Sequence, residues 1–350
     1  MDQRRRALAA AGGVLVLFLL VQLGTLALVE PFEASGLQPD VDHEDPTNSL
    51  LYVVAILVAT GFMLLAIRYD VARLIRVFIV FSGAYVAVFV FRVVIPPLLV
   101  VAEFHALAWL AGALLGVALW VYPEWYVIDA AGVVMGIAAA ALFGITFGVL
   151  PAVVLLVVLA VYDAISVYRT EHMLTLAGGV MEMRVPIVLV VPLTLSYSFL
   201  EADLPDPTAG EGDAAGTDDG EGETSAAGPG EGATEASEDE EEPPPATDRD
   251  ALFIGLGDAV IPTVLVASAA FFAPGGPPSL GVPYLSMTLP TLTAMLGTVV
   301  GLGGLLWMVL KGRAHAGLPL LNGGTILGYL GGSLLAGVSL VEALGLSGLV

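Results

Sequence analysis

Two aspartates, Asp163 and Asp258, each lie inside a long apolar run of the sequence. An ionised carboxylate in the middle of a membrane helix costs about 2.5–3.5 kcal/mol on insertion scales, so acids in such positions usually mark functional sites. Tyr162 precedes the first aspartate, and the run Gly255-Leu256-Gly257 precedes the second. These residues are therefore the first candidates for chemistry in the chain.

Two carboxylates beside one water molecule can hydrolyse a peptide bond. Because both cannot ionise at close range, they share a proton. One carboxylate takes a proton from the water as it attacks the peptide carbonyl, and the other donates a proton to the oxyanion and then to the leaving amide. Such a pair titrates as a unit, so the sequence leaves open which of Asp163 and Asp258 is the acid and which the base.

The composition indicates the elements that must position the two acids. The chain has 350 residues, of which 57% are hydrophobic and 13% charged, and its mean hydropathy is +0.89. These values are typical of an all-α polytopic membrane protein. A spanning helix needs roughly 20 mostly apolar residues. The sequence predicts nine transmembrane helices, near 7–29, 50–67, 74–95, 98–121, 125–147, 149–168, 252–273, 288–310 and 320–345.

The basic residues predict the orientation of the nine helices in the cell membrane, because Lys and Arg concentrate in cytoplasmic loops. A cytoplasmic N-terminus places eleven of the twelve basic residues on the inner side, and the twelfth, Arg92, lies within the third helix. The C-terminus then lies outside. The inner residues are Arg4, Arg5, Arg6, Arg68, Arg73, Arg76, Arg169, Arg184, Arg249, Lys311 and Arg313.

This topology predicts that the two acids share one depth. Asp163 lies about five residues before the inner end of the sixth helix, and Asp258 about six residues after the inner start of the seventh. At 1.5 Å per residue, both carboxylates are expected roughly 8–9 Å below the same membrane face. Gly255 and Gly257 would permit close approach of a partner helix or a substrate backbone, the alternative being ordinary small-residue helix packing.

A third element, Gly317-Leu318-Pro319-Leu320-Leu321, opens the ninth helix at the same inner face. The alternative is a structural proline in the first helical turn, where its missing N–H is tolerated.

The chain divides into three parts. Residues 1–200 contain the first six helices, residues 201–250 form an acidic linker, and residues 251–350 contain the last three helices. The linker holds 18 of the 34 acidic residues and almost no large apolar ones, so we expect it to be disordered and cytoplasmic.

The short apolar segment 185–191 precedes the acidic linker. We hypothesise that this segment offers a strand edge to an unwound substrate, the alternative being simple packing on the bundle.

The motifs resemble those of the presenilin and signal peptide peptidase family of intramembrane aspartyl proteases. That family has YD in its sixth helix, GxGD in its seventh and Pro-Ala-Leu at the start of its ninth. The corresponding residues here are Tyr162-Asp163, Gly255-Leu256-Gly257-Asp258 and Pro319-Leu320-Leu321, with Leu320 in place of the alanine. The resemblance implies that Asp163 and Asp258 are catalytic, that Pro319-Leu320-Leu321 helps to place the substrate, and that substrates are transmembrane helices.

The net charge of −22 and the single lysine look like those of an archaeal presenilin homologue from a high-salt cytoplasm. The resemblance to such homologues implies activity without obligatory partner subunits. No basic patch exists to bind nucleic acid. The chain has no cysteine, its four histidines lack metal-binding spacing, and no cofactor signature is present, so neither a metal nor a cofactor is expected.

A proton-coupled membrane transporter is the alternative function, because intramembrane carboxylates also serve as proton relays. A carrier should contain internal repeats, and we find none that is convincing. Other polar residues within the predicted helices are Glu103, His105 and Asp129, together with Arg92. We assign none of them to catalysis and expect Asp129 to have a structural role.

Overall fold

The computed structural model describes residues 3–37, 46–68, 72–101, 104–169, 186–194, 197–200, 251–311 and 316–346. The acidic linker 201–250, Glu103 and Val185 lie outside these residues, and so do the histidines at 43, 172 and 315.

Helices account for most of the described chain. Their bounds are α1 Gln3–Ala34, α2 Pro46–Arg68, α3 Ala72–Val94, α4 Ala106–Val121, α5 Trp125–Thr146, α6 Val149–Arg169, α7 Leu256–Phe272, α8 Leu289–Leu310, α9 Leu318–Leu335 and the single turn α10 Leu340–Ala343. Helix α3 ends at Val94, just before Pro96-Pro97, where two consecutive prolines cannot continue a helix.

The prediction of purely helical structure is wrong at two places. Strands β1 (Val100–Val101) and β2 (Phe104–His105) form an antiparallel pair before α4, so the fourth helix begins at Ala106 and not near residue 98. Strands β3 (Val188–Pro192) and β4 (Ala251–Gly255) form a second antiparallel pair, and α7 begins only at Leu256. Apolar, β-branched stretches of this kind suit a buried strand as well as a helix.

The predicted ninth helix, 320–345, is divided. Helix α9 ends at Leu335, and Gly337 follows with a φ of +80°, a conformation that glycine adopts without strain. The Ser339 side chain then caps the short helix α10.

Helix α5 lies at the centre of the bundle and packs against α1, α3, α7 and β3. Helix α9 packs most closely on α8, because Gly297 and Gly324 face each other and leave no room for a side chain on either. A hydrogen bond of 2.7 Å between the hydroxyls of Thr298 and Thr325 joins the same two helices.

The chain is a multi-pass membrane protein. Among the described residues, five helices are long and apolar enough to cross a membrane: α1, α3, α5, α6 and α8. Three shorter apolar helical stretches accompany them, at Leu50–Phe62, Ala106–Val121 and Leu256–Phe272. Large apolar side chains such as Phe81, Val300 and Leu335 are 70–78% exposed on the outer faces, as expected of surfaces that contact lipid.

Candidate active site

The C-terminal part of α6 and the N-termini of α7 and α9 meet at one end of the bundle. Asp163 on α6 is 5% exposed, and its Oδ2 atom accepts a hydrogen bond of 3.0 Å from the backbone N–H of Leu318. Leu318 is the first residue of α9, and N–H groups in the first turn of a helix have no partner within that helix. The positive end of the α9 dipole therefore faces the Asp163 carboxylate.

Asp258 lies beside the same start of α9. Its Oδ2 atom is 3.7 Å from the position that a Cβ would occupy on Gly317. The two carboxylates are also near enough to interact electrostatically. The start of α9 thus lies against Asp163, through the Leu318 N–H, and beside Asp258, at Gly317, so the structure brings the two residues to the same helix start.

The predicted position of Asp258 within its helix is wrong. We expected Asp258 about six residues into a continuous helix, but it lies in the first turn of α7, directly after strand β4. The reason is that 251–255 is extended and pairs with β3. Asp163, by contrast, lies inside α6 as predicted.

The residues of the Gly255-Leu256-Gly257 run have different surroundings. The Leu256 N–H donates to the Ile187 carbonyl at 2.8 Å, which continues the β3–β4 ladder into α7. The Leu256 side chain lies against Gly136 on α5. Gly257 is exposed, and a Cβ there would approach only Ile261 of its own helix. The glycine at 257 therefore leaves an open surface beside Asp258.

The residues of the predicted motif at the start of α9 pack within the described part of the chain, and their expected contribution to substrate placement stays a prediction. Pro319 lies in the first helical turn. Leu321 is fully buried and Leu320 half-buried, in an apolar cluster with residues of α1, β4, α7 and α8. Asn322 donates to the Leu156 carbonyl on α6 at 2.8 Å, so the same helix start is tied to the helix that carries Asp163.

Tyr162 is half-buried on α6, and we find no hydrogen bond from it to either carboxylate within the described residues. No group of three or more possible metal ligands occurs in that part of the chain. The arrangement is suited to acid–base chemistry by two carboxylates.

Two further acids bind the segment that precedes β4, and we did not predict that they contribute to the site. Asp129 on α5 accepts a hydrogen bond from Val190 in β3, and Glu124, immediately before α5, accepts from Ser198 and Phe199. Asp129 has the structural role expected from sequence. Its partner could not be predicted, because it lies 61 residues away along the chain.

The comparisons with known proteins agree with this geometry. A family model described as signal-peptide peptidase, presenilin aspartyl protease matches residues 15–338. Two solved structures of a presenilin family intramembrane aspartate protease, in space groups C222 and P2, are 28% and 30% identical in sequence, with TM-scores of 0.55 and 0.56. In both cases the similarity covers 92% of this chain and 97% of the other. No curated protein matches the sequence.

Replacing Gly317 tests whether the backbone at this residue must stay clear of Asp258. A Cβ at 317 would lie 3.2 Å from Leu305 and 3.7 Å from the carboxylate, so Gly317→Ala requires only a small shift of a flexible side chain. Gly317→Val adds methyl groups next to Asp258. We expect Gly317→Ala to retain at least about a third of the cleavage rate of a transmembrane peptide and Gly317→Val to lose about tenfold or more.

Gly323→Val on the same helix is the matched control, because nothing lies within 4 Å of its Cβ position. Detergent-phase thermal unfolding verifies that each variant is folded. A folded Gly317→Val enzyme with wild-type activity would contradict this prediction.

Proposed function

Because the chain belongs to the signal-peptide peptidase and presenilin aspartyl protease family, and is therefore an intramembrane aspartic protease, we propose that Asp163 and Asp258 are its catalytic pair. The observation that carries this proposal is that both carboxylates lie at the start of α9: Asp163 accepts a hydrogen bond from the Leu318 N–H, and Asp258 lies beside Gly317. Two acids brought to one helix start are placed to act on one water molecule. Membership of this family favours a protease over a proton-coupled transporter as the function of the two acids.

The reaction follows from the two carboxylates. One accepts a proton from the bound water as the water oxygen attacks the substrate carbonyl. The other donates its proton to the developing oxyanion, and a second transfer protonates the leaving amide as the C–N bond breaks. No step needs a metal ion or a cofactor. The exposed surface at Gly257 provides a side from which the substrate backbone can approach Asp258.

The proposed substrates are transmembrane helices, and a helix hides its carbonyl groups in its own hydrogen bonds. Once it is unwound, its backbone needs new partners in the membrane. The β3–β4 pair offers such partners beside the site. In an antiparallel ladder, hydrogen-bonded and non-hydrogen-bonded residue pairs alternate. Leu256 and Ile187 form a hydrogen-bonded pair, so Val190 and Phe253 form a non-hydrogen-bonded pair. The N–H and C=O groups of Val190 and Phe253 therefore point away from the partner strand.

These outward groups differ between the two strands. Val190 in β3 already donates its N–H to Asp129. For Phe253 in β4, no hydrogen bond on the outward side is found within the described residues. We therefore propose that β3 supports β4 and that the outer edge of β4 pairs with the unwound substrate, while direct pairing of segment 185–191 with the substrate stays a hypothesis.

The proposed topology retains nine transmembrane helices in the cell membrane, with a cytoplasmic N-terminus and an external C-terminus. The bounds of α1 to α9 support this count, since each predicted span overlaps one helix. In this orientation the active site lies near the cytoplasmic face. We also propose that the chain acts without partner subunits.

The first prediction of the proposed function concerns the catalytic pair. Asp163→Asn and Asp258→Asn keep the side-chain shape but cannot exchange the required proton, so each is expected to reduce cleavage by at least about 10³-fold. The measurement is mass spectrometry of a transmembrane peptide incubated with the purified chain alone, in detergent at molar KCl to suit the acidic composition. Product that persists in both variants would remove the assignment, and an inactive wild-type chain would contradict independence from partners.

The second prediction concerns the pairing of substrate with β4. Substrate peptides with a single N-methylated backbone residue, scanned on both sides of the cleaved bond, should lose cleavage at every second position on one side. The reason is that alternate residues of a strand face the same neighbour. If N-methylation reduces cleavage equally at every position, or at positions three to four residues apart, pairing with a strand edge is excluded.

The third prediction concerns topology. The chain has no cysteine, so single-cysteine variants report position without background. We expect a membrane-impermeant maleimide to label Ser279→Cys and Ser347→Cys only from outside intact cells, and Ser225→Cys only in inverted vesicles. Labelling of all three variants from the same side would refute the nine-helix topology.

A further inference from the structure

Two buried acids at the N-terminus of α5 hold the segment that connects α6 to α7. The Asp129 Oδ1 atom accepts a hydrogen bond of 2.7 Å from the Val190 N–H. Glu124 accepts from the Phe199 N–H at 2.9 Å and from the Ser198 hydroxyl at 2.6 Å. Both acids are only 6% exposed, so these bonds are shielded from solvent.

The two acids hold the segment at two points of its described part. Val190 lies in β3, whose other edge pairs with β4. Phe199 follows β3, and its ring packs 6.2 Å from the ring of Phe253 in β4. Asp129 and Glu124 therefore fix β4 from two sides, although neither touches it directly.

The face of α5 that carries Asp129 is shaped to receive the strands. A Cβ on Gly132 would lie 3.0 Å from the Leu189 side chain, and one on Gly136 would lie 3.2 Å from Leu256. These two glycines allow β3 and the start of α7 to lie directly on α5. Since α7 begins immediately after β4 and carries Asp258 in its first turn, the position of β4 relative to α5 also fixes the position of that carboxylate.

We propose that Asp129 and Glu124 are positioning residues that determine which peptide bond of the substrate faces the catalytic pair. The proposal rests on the proposed function, in which the substrate pairs with β4 and Asp258 is catalytic. By holding the β3–β4 pair in one place on α5, the two acids fix the paired substrate strand relative to Asp258. Loosening the pair lets neighbouring peptide bonds reach the carboxylates.

The test is the distribution of cleavage products, because that distribution does not depend on how much enzyme is folded. Asp129→Leu removes the acceptor and leaves the Val190 N–H without a partner. We expect kcat/KM to fall about tenfold and the cuts to spread over several neighbouring bonds. Asp129→Asn keeps an acceptor oxygen in the same place, so it should retain activity within about threefold and the wild-type product pattern.

Val190→Pro removes the same hydrogen bond from the donor side, and it spares the ladder because the Val190 N–H points away from β4. It should give the same spread of products as Asp129→Leu, and it decides the question if Asp129→Leu does not fold. Ser268→Ala is the matched control. It deletes a buried hydrogen bond of 2.7 Å to the Phe147 carbonyl, at the distant end of α7, and should leave the pattern unchanged.

A wild-type product pattern in folded Asp129→Leu, or in Val190→Pro where the former is unfolded, would overturn the positioning role. A spread of products in Ser268→Ala would overturn it too, since any lost hydrogen bond would then suffice. Failure of the proposed function can be distinguished from failure of the positioning role. If the proposed function is wrong, the Asp258→Asn variant will show undiminished cleavage in the same assay.

Discussion

One constraint governs the arrangement of this site: backbone N–H groups within a membrane protein need hydrogen-bond acceptors. Where a helix begins, in turns, and at strand positions that face away from the partner strand, such groups lack a partner in their own element. Among the described residues, Leu318, Val190 and Phe199 carry such N–H groups, and each donates to a buried carboxylate. The carboxylates need donors as much as the N–H groups need acceptors, so each satisfies the other.

This constraint explains why irregular backbone and acidic residues occur together in an otherwise apolar chain. In the proposed function, strand β4 offers an edge beside Asp258, and Asp129 and Glu124 accept hydrogen bonds from the described backbone that supports β4. Without Asp129, the buried Val190 N–H would lose its acceptor, at about 1–3 kcal/mol. The two acids at the start of α5 thus belong to the same structural unit as the proposed catalytic pair, although they lie far from it in sequence.

Much of this arrangement follows from the sequence. Hydropathy predicts α1 to α9 to within a few residues at most ends, and the order of Asp163, Asp258 and Pro319 predicts that three helix ends meet. The strand β4 could not be predicted, because Ala251–Gly255 is apolar and continues into α7, so its pattern reads as the first turns of a helix. The partners of Asp129 and Glu124 could not be predicted either, since a contact across 61 to 75 residues depends on the whole packing.

The two catalytic candidates are held in different ways, and this difference bears on how the site responds to substrate. Asp163 lies within α6 and is fixed by α9, which Asn322 and the glycine contacts with α8 hold in place. Asp258 follows β4 without an intervening loop, so a displacement of β4 also displaces Asp258. In the proposed function, a substrate strand that pairs with β4 therefore acts directly on Asp258 and not on Asp163. The proposal thereby links substrate pairing to catalysis, because the contacts that would hold the peptide bond also set the position of one carboxylate.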